Sequence, residues 1–134
     1  MQQWPTTRNY SGDFYGDCVF FWQHEWDKHG TCAMVLQSFA TVFDYFDVSL
    51  QWNKKYDVYK ALESHGVVPS TTRGYNFAEI SEALQEAFGK VPDVICTTDN
   101  LIHEVRICFD KQSSLIDCTK IQTECDKTRD ILYR

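Results

Sequence analysis

The chain has 134 residues, of which 43% are hydrophobic and 24% charged; these proportions exclude intrinsic disorder and allow one domain with a hydrophobic core. The net charge of −6 argues against a protein that coats nucleic acid by general phosphate neutralisation, but it leaves room for an enzyme with a small, locally cationic cleft. No stretch approaches the roughly 18–20 apolar residues of a membrane-spanning helix, so we expect no membrane partner.

The first third of the sequence predicts a loop followed by two helices. Residues 1–18 are polar and rich in turn formers, which favours a loop. Residues 20–29 predict a helix that ends at Gly30, because glycine commonly follows the last residue of a helix. Over residues 38–46, apolar side chains recur at the i, i+3, i+4, i+7 spacing of an amphipathic helix. The expected apolar face consists of Phe39, Val42, Phe43 and Phe46.

Two further helices are predicted in the middle of the chain. The first covers residues 54–64 and stops at the pair His65-Gly66. The second covers residues 76–88 and stops at Gly89. The side chains expected to face inward are Tyr56, Tyr59 and Leu62 on the first helix, and Phe77, Ile80, Leu84 and Phe88 on the second.

After Pro92 the pattern changes to the alternation of strands. Residues 93–97 and 101–109 predict a pair of strands, and residues 114–118 a third strand after a polar turn. No repeat or linker interrupts the sequence, so we expect one domain over residues 1–134. Helices followed by an antiparallel sheet in one domain make an α+β fold.

Six cysteines, four of them within the last forty residues, favour disulfide bonds formed in an oxidising compartment. The alternative of a metal site is less favoured, because no Cys-x-x-Cys pair is present. The sequon that begins at Asn9 predicts N-glycosylation and agrees with secretion. Since no apolar signal segment follows Met1, we expect the chain to be incomplete at its N-terminus.

Residues 20–32 concentrate groups capable of acid–base chemistry. On a helix, residues four apart are neighbours, so His24 is expected beside Lys28 and Glu25 beside His29. Imidazole suits proton transfer near neutral pH, Lys28 with a protonated His24 would hold a phosphate, and Glu25 would orient His29. The alternative is a surface helix with an ordinary salt-bridged face, which does not account for the two tryptophans and two histidines among the charges.

A zinc site is disfavoured by the spacing of the two histidines. Metalloprotease helices carry His-Glu-x-x-His, in which both histidines share one face. Here three residues follow Glu25 before His29, and at about 100° per residue the two imidazoles would lie roughly 140° apart on an α-helix. Lys28 would also repel a metal ion. We therefore predict no metal ligand in this segment.

The nine residues from His24 to Cys32, preceded by Phe21-Trp22, resemble the second active-site motif of the T2 ribonucleases. The resemblance continues through Gly66-Val67-Val68-Pro69 and into the cysteine-containing C-terminal segments, which are similar to those of plant S-RNases and S-like RNases. S-RNases tend to be basic, so the net charge of −6 is nearer to the S-like enzymes.

This resemblance implies an endoribonuclease of the lyase type, which cleaves single-stranded RNA by transesterification and leaves 2′,3′-cyclic phosphate ends. DNA is excluded as a substrate because it has no 2′-hydroxyl. In the family pattern His29 is an acid/base histidine, here in the role of base, and His24 contacts the phosphate. Glu25 and Lys28 stabilise the transition state, and Phe21 lines a base subsite. The resemblance implies no metal or cofactor, a monomer, and a location in the secretory pathway, either extracellular or vacuolar.

The sequence departs from the family at the first active-site motif, of the form His-Gly-Leu-Trp-Pro, which supplies the other acid/base histidine. That motif is absent from residues 1–134, and neither His65 nor His103 matches a catalytic position. We therefore expect an N-terminally truncated chain whose own activity is severely impaired. The alternative function is a catalytically inactive homologue with a storage, defence or recognition role.

The family pattern also implies how the cysteines pair. Cys96 would bond with Cys125, and Cys108 with Cys118, in the C-terminal strands. Cys18 and Cys32 match cysteines whose partners lie in the upstream region of the family.

Overall fold

A computed structural model describes residues 13–119 and 124–134. The chain divides into two compact units, Met1–Lys55 and Tyr56–Arg134. The predicted glycosylation site at Asn9 and most of the predicted N-terminal loop lie outside the described residues. A single domain over residues 1–134 stays a prediction, and each unit is described by itself.

The first helix, α1, spans Phe14–Glu25 and begins inside the predicted loop. The prediction of a loop through residue 18 is therefore wrong for the last five residues. The cause is a local cap, because the Asp13 carboxylate accepts a hydrogen bond of 3.0 Å from the Gly16 N–H and so satisfies a free donor at the helix start.

Gly30 does not end the helix, contrary to the prediction from the sequence. A π-helical turn, Trp26–Gly30, follows α1 directly, and the short helix α2, Thr31–Ala33, continues from it. Gly30 has φ −60° and ψ −43°, which is ordinary right-handed helix rather than the left-handed conformation of a helix stop. Its missing side chain serves instead to admit the Trp26 ring, described below.

The helix predicted over residues 38–46 begins later and is longer, because α3 spans Val42–Lys55. The Asp44 carboxylate accepts from the Thr41 N–H, and the Thr41 hydroxyl accepts from the Asp44 N–H; this reciprocal cap sets the start. Phe39 is buried, but it lies in a 3₁₀ turn before α3.

The predicted apolar face is wrong for Val42 and Phe43, whereas Phe39 is buried and Phe46 is half-buried. Val42 is 47% exposed and Phe43 75% exposed. The ring contacts instead involve Tyr45 and Trp52, seven residues apart on one face, and both rings lie against Phe39. The aromatic contacts of α3 therefore lie on the side that carries Tyr45 and Trp52, and not on the side that carries Val42 and Phe43.

The second unit contains the helices α4, Val58–Ser64, and α5, Phe77–Phe88. The helix predicted over residues 54–64 is interrupted before α4, because the Asp57 side chain caps the new helix by accepting from the Lys60 N–H. Leu62 is buried as predicted, and the end of α4 at His65-Gly66 is confirmed, with Gly66 at φ 76°. Tyr59 is 50% exposed, so its predicted inward position is wrong.

The prediction for α5 is confirmed at both ends and on its buried face. Asn76 and Glu79 form a reciprocal capping box at the start, and Gly89, at φ 71°, ends the helix. Ile80 and Leu84 are fully buried. Phe77 and Phe88 pack against the same core from its edge.

Six short strands in the described residues form three antiparallel pairs. They are β1 (Gly74–Tyr75) with β6 (Ile131–Leu132), β2 (Asp93–Cys96) with β3 (Ile102–Arg106), and β4 (Cys108–Phe109) with β5 (Leu115–Ile116). The predicted strand over 101–109 is interrupted at Ile107, and the one over 114–118 is shorter than predicted. The intervening turn is as predicted, because the Asp110 carboxylate accepts from the N–H groups of Gln112 and Ser114.

Two disulfide bonds fasten the C-terminal half. They join Cys96 to Cys125 and Cys108 to Cys118, the same pairs that the family resemblance implies. The first bond belongs to the buried core of the second unit, together with side chains from α4, α5 and the strands. Helices followed by antiparallel strands confirm the α+β class.

Candidate active site

The residues singled out in the sequence lie on α1 and on the π-helical turn that follows it. His24 and Glu25 are the last two residues of α1, and Lys28 and His29 lie within the turn. The side chains of His24, Lys28 and His29 are exposed, whereas Glu25 is half-buried. One short, continuous helical segment thus presents two imidazoles and an ammonium group to solvent.

The backbone of this segment changes register between the two histidines. The Trp26 N–H donates to the carbonyls of Gln23 and Trp22, three and four residues back, as is common at the end of an α-helix. The Thr31 N–H donates instead to the Trp26 carbonyl, five residues back, which defines the π turn. The Thr31 hydroxyl donates to the Asp27 carbonyl at 3.0 Å, the acceptor that its own N–H would use in an α-helix.

This register alters the geometry that the sequence led us to expect. A turn closed by an i→i+5 bond holds more residues than an α-helical turn, so five residues come closer to one full revolution. The angle between His24 and His29 around the helix axis is therefore smaller than the roughly 140° that five α-helical residues would give.

Tyr45, on α3, lies behind the segment and was not singled out in the sequence. Its ring meets the Trp26 ring edge-on, with 5.9 Å between the centroids. Burial raises the pKa of Tyr45, and the negative charge of Glu25 raises it further, so the phenol stays protonated at neutral pH. No motif could have indicated this residue, because it is only one of several aromatic residues on a helix whose face was itself mispredicted.

Comparison with known proteins identifies the family. The model of the Ribonuclease T2 family matches residues 1–118. The chain belongs to the ribonuclease T2 family. Ribonuclease Oy of Magallana gigas is 32% identical over 140 residues, covering 96% of this chain and 66% of that protein.

Solved T2-family structures agree with this fold. Trichomaglin, described as a novel S-like ribonuclease, is 34% identical with a TM-score of 0.71, over 79% of this chain and 50% of that one. RNase NT in complex with 5′-AMP is 30% identical with a TM-score of 0.73, over 87% of this chain and 58% of that one. The chain thus spans between half and two thirds of the length of these three T2 relatives.

Phe21, which the family pattern assigns to a base subsite, is half-buried on α1. It precedes His24 by three residues, a spacing that makes two side chains neighbours on an α-helix. Phe21 and His24 therefore occupy neighbouring positions on one side of α1.

The other two histidines lie in the second unit of this T2-family chain. The His65 Nε2 atom is 3.0 Å from the Glu86 carboxylate, and its Nδ1 atom is 2.9 Å from the Ala61 carbonyl oxygen. The hydrogen bond to Ala61 is the largest effect on the pKa of His65 and raises it; burial comes next and lowers it, and the contact with Glu86 raises it again, so that the pKa lies above its usual value. These contacts hold the His65 side chain against Ala61 and Glu86 at the end of α4. His103 is exposed on β3.

Across residues 13–119 and 124–134, no group of three or more His, Cys, Asp or Glu side chains is placed to hold a metal ion. The two cysteines outside the disulfide bonds are both free thiols: Cys18 is buried on α1, and Cys32 is exposed on α2.

Proposed function

We propose that the segment from His24 to His29 cleaves single-stranded RNA by transesterification. The observation that carries this proposal is the placement of two histidines, a lysine and a glutamate on one exposed helical segment in a chain of the ribonuclease T2 family. In the reaction, the ribose 2′-oxygen forms a bond to the adjacent phosphorus as the bond to the 5′-oxygen breaks. The products are a 2′,3′-cyclic phosphate and a 5′-hydroxyl.

Each residue has a distinct role in this proposal. His29 accepts the proton of the attacking 2′-hydroxyl, and His24 contacts the phosphate. Lys28 supplies positive charge, and Glu25 completes the set that stabilises the pentavalent transition state. Because the chain as a whole carries a net charge of −6, its attraction for phosphate must come from this local cluster. Phe21 offers its ring to a base, a contact that tolerates any base identity.

The leaving 5′-oxygen must receive a proton, and the family mechanism uses a second histidine for that step. His65 is engaged with Glu86 and Ala61, and His103 lies on β3, so neither is assigned this role. One acid/base group cannot serve both oxygens without recruiting water. We therefore propose that residues 1–134 on their own cleave RNA only slowly.

The proposed substrate and setting follow from the same chemistry. RNA is a substrate and DNA is not, because only RNA carries the attacking 2′-hydroxyl. Nucleotide binding in the family is supported by the relative RNase NT, whose structure contains 5′-AMP. The proposed enzyme needs no cofactor and acts as a monomer.

The proposed location is the secretory pathway, extracellular or vacuolar. The two disulfide bonds support it, since such bonds persist in oxidising compartments. The sequon at Asn9 agrees with it. Among the helices that the structure describes, none is long and apolar enough to cross a bilayer.

The proposal is tested by measuring the release of 2′,3′-cyclic phosphate ends from poly(U) by the full-length protein. We expect His29→Ala to lower the rate by about 10²- to 10⁴-fold, the usual contribution of a general base. His103→Ala is the matched control, since it removes an exposed histidine from the second unit, and we expect no change. Equal rates for the wild type and His29→Ala would remove the catalytic role.

A second candidate, a catalytically inactive homologue, is favoured by one observation: residues 1–134 lack the His-Gly-Leu-Trp-Pro motif. Such a protein would keep the fold and bind RNA or another partner without cleaving it. It predicts that full-length protein binds oligonucleotides while poly(U) stays intact. Retention of all four residues of the cluster argues for the enzyme, because a storage role does not require them.

A further inference from the structure

Trp26 is enclosed on two sides, by Gly30 within the same motif and by Tyr45 on α3. On one side its indole lies directly on Gly30. A Cβ atom at Gly30 would lie 2.9 Å from Cζ3 and 3.0 Å from Cδ2 of the indole, and closer still to Cε3. On the other side, the Tyr45 ring meets the indole edge-on. Only glycine at position 30 leaves the indole in this place.

Tyr45 is itself fixed by neighbouring rings. Its centroid lies 5.1 Å from that of Phe46 and 6.2 Å from that of Phe39. Phe39 is only 5% exposed and also meets Trp52 edge-on at 5.4 Å. The support behind Trp26 is therefore a packed aromatic cluster, which holds its members in defined positions more firmly than an exposed side chain would be held.

Trp26 and Gly30 are the first and last residues of the π turn. Trp26 provides the carbonyl that accepts the i→i+5 hydrogen bond, and Gly30 is the last residue before its donor, Thr31. Turns of this kind are rare, because the α-helical register is ordinarily preferred, and they persist where side-chain packing favours them. The indole of Trp26 therefore packs on the last residue of the same turn whose hydrogen bond the Trp26 carbonyl accepts.

We propose that Trp26, held between Gly30 and Tyr45, keeps the turn in its widened form, and that Gly30 and Tyr45 are positioning residues for the reaction at Lys28 and His29. The inference rests on the proposed ribonuclease function. The widened turn makes the angle between His24 and His29 smaller, so a return to the α-helical register swings His29 away from a phosphate held by His24. Neither Gly30 nor Tyr45 touches the substrate in this account.

The test compares four variants of the full-length protein: Gly30→Ala, Tyr45→Leu, Tyr45→Phe and the control Tyr59→Leu. Gly30→Ala displaces the indole, and Tyr45→Leu removes its aromatic support. Tyr45→Phe keeps the ring and removes only the hydroxyl. Tyr59→Leu removes a half-exposed tyrosine from α4 in the other unit. Each variant is assayed for kcat and KM on poly(U).

The register of the turn is read independently of activity. In an NMR spectrum, the scalar coupling across a hydrogen bond identifies which carbonyl accepts from the Thr31 N–H. We expect this acceptor to be Trp26 in the wild type, Tyr45→Phe and Tyr59→Leu. We expect it to change to Asp27 in Gly30→Ala and Tyr45→Leu, with kcat lowered by about 10- to 100-fold and KM little changed, as for a misplaced catalytic group.

Two results would overturn the proposal. One is an unchanged Thr31 acceptor in both Gly30→Ala and Tyr45→Leu; the other is a changed acceptor with kcat as in the wild type. A variant that is merely less stable would lose folded protein without changing the acceptor in the folded fraction, which the spectrum distinguishes. Absence of ribonuclease activity in the wild type would refute the proposed function, while the acceptor of Thr31 would still decide whether Trp26 maintains the turn.

Discussion

Replacing Asn100 by alanine should destabilise the second unit by several kcal/mol, because its buried side chain holds two segments of the chain together. Asn100 is 2% exposed and adopts φ 60°, a left-handed conformation. Its Nδ2 group donates to the carbonyls of Asp126, at 3.1 Å, and Asp130, at 3.0 Å. Its Oδ1 atom accepts from the Asp126 N–H at 2.8 Å. One side chain thus ties the turn before β3 to the C-terminal segment.

The expected loss in the free energy of unfolding follows from these contacts. Each of the three hydrogen bonds contributes about 0.5–1.5 kcal/mol to the free energy of unfolding, or about 2–4 kcal/mol together. Alanine at φ 60° adds about 1 kcal/mol of backbone strain, since asparagine tolerates this region better. The expected loss for Asn100→Ala is therefore about 3–5 kcal/mol. Asn100→Gly should lose about 1 kcal/mol less, because glycine relieves the strain but not the lost bonds.

Urea unfolding, with the midpoint and slope fitted separately, measures both losses. Asn53→Ala, at an exposed position on α3, is the matched control and should change stability by no more than about 0.5 kcal/mol. A loss below about 1 kcal/mol for Asn100→Ala would refute the contribution of the hydrogen bonds. Equal stability of the alanine and glycine variants would refute the contribution of backbone strain.

Three further predictions concern pH, the π turn and metal dependence. The partners of His65 raise its pKa, so the stability advantage of the wild type over His65→Gln should be complete at about pH 5, below the ordinary pKa of about 6.5, and should be lost as pH rises through the raised pKa; an advantage independent of pH would contradict this. Thr31→Val should lower the free energy of unfolding by about 1 kcal/mol in urea titrations, and Thr31→Ser should not, because only the hydroxyl bonds to the Asp27 carbonyl. Cleavage of poly(U) should be unchanged by EDTA, and a loss of activity that added divalent ions restore would contradict the metal-free mechanism.

Local signals explain which elements could be predicted from the sequence. The helix α5 carries its start and stop in its own residues, Asn76 with Glu79 at one end and Gly89 at the other, and its apolar spacing matches its buried face. The same spacing argument failed for α3, because Phe39 satisfies the pattern from outside the helix, in a preceding turn. The strands β1 and β6 have two residues each, too few to show any alternation.

The sequence predicts that the candidate site residues share one helical segment, but it does not predict the register of their turn. Residue types alone marked the segment from His24 to His29 as a place for proton transfer and phosphate contact. The register of the turn depends on how Trp26 packs against Tyr45, nineteen positions later in the chain, and no local pattern reports such a contact. The prediction of a helix stop at Gly30 fails for the same reason. The sequence shows that glycine is present, but only the structure shows that the Trp26 ring occupies the space where a side chain at position 30 would lie.

The most direct test of the account uses a DNA oligonucleotide that contains one ribonucleotide, incubated with the full-length protein. The account predicts cleavage at the single bond that follows the ribonucleotide, with a 2′,3′-cyclic phosphate on the product, and loss of that cleavage in His29→Ala. Cleavage at deoxynucleotide positions, or undiminished cleavage by His29→Ala, would contradict it.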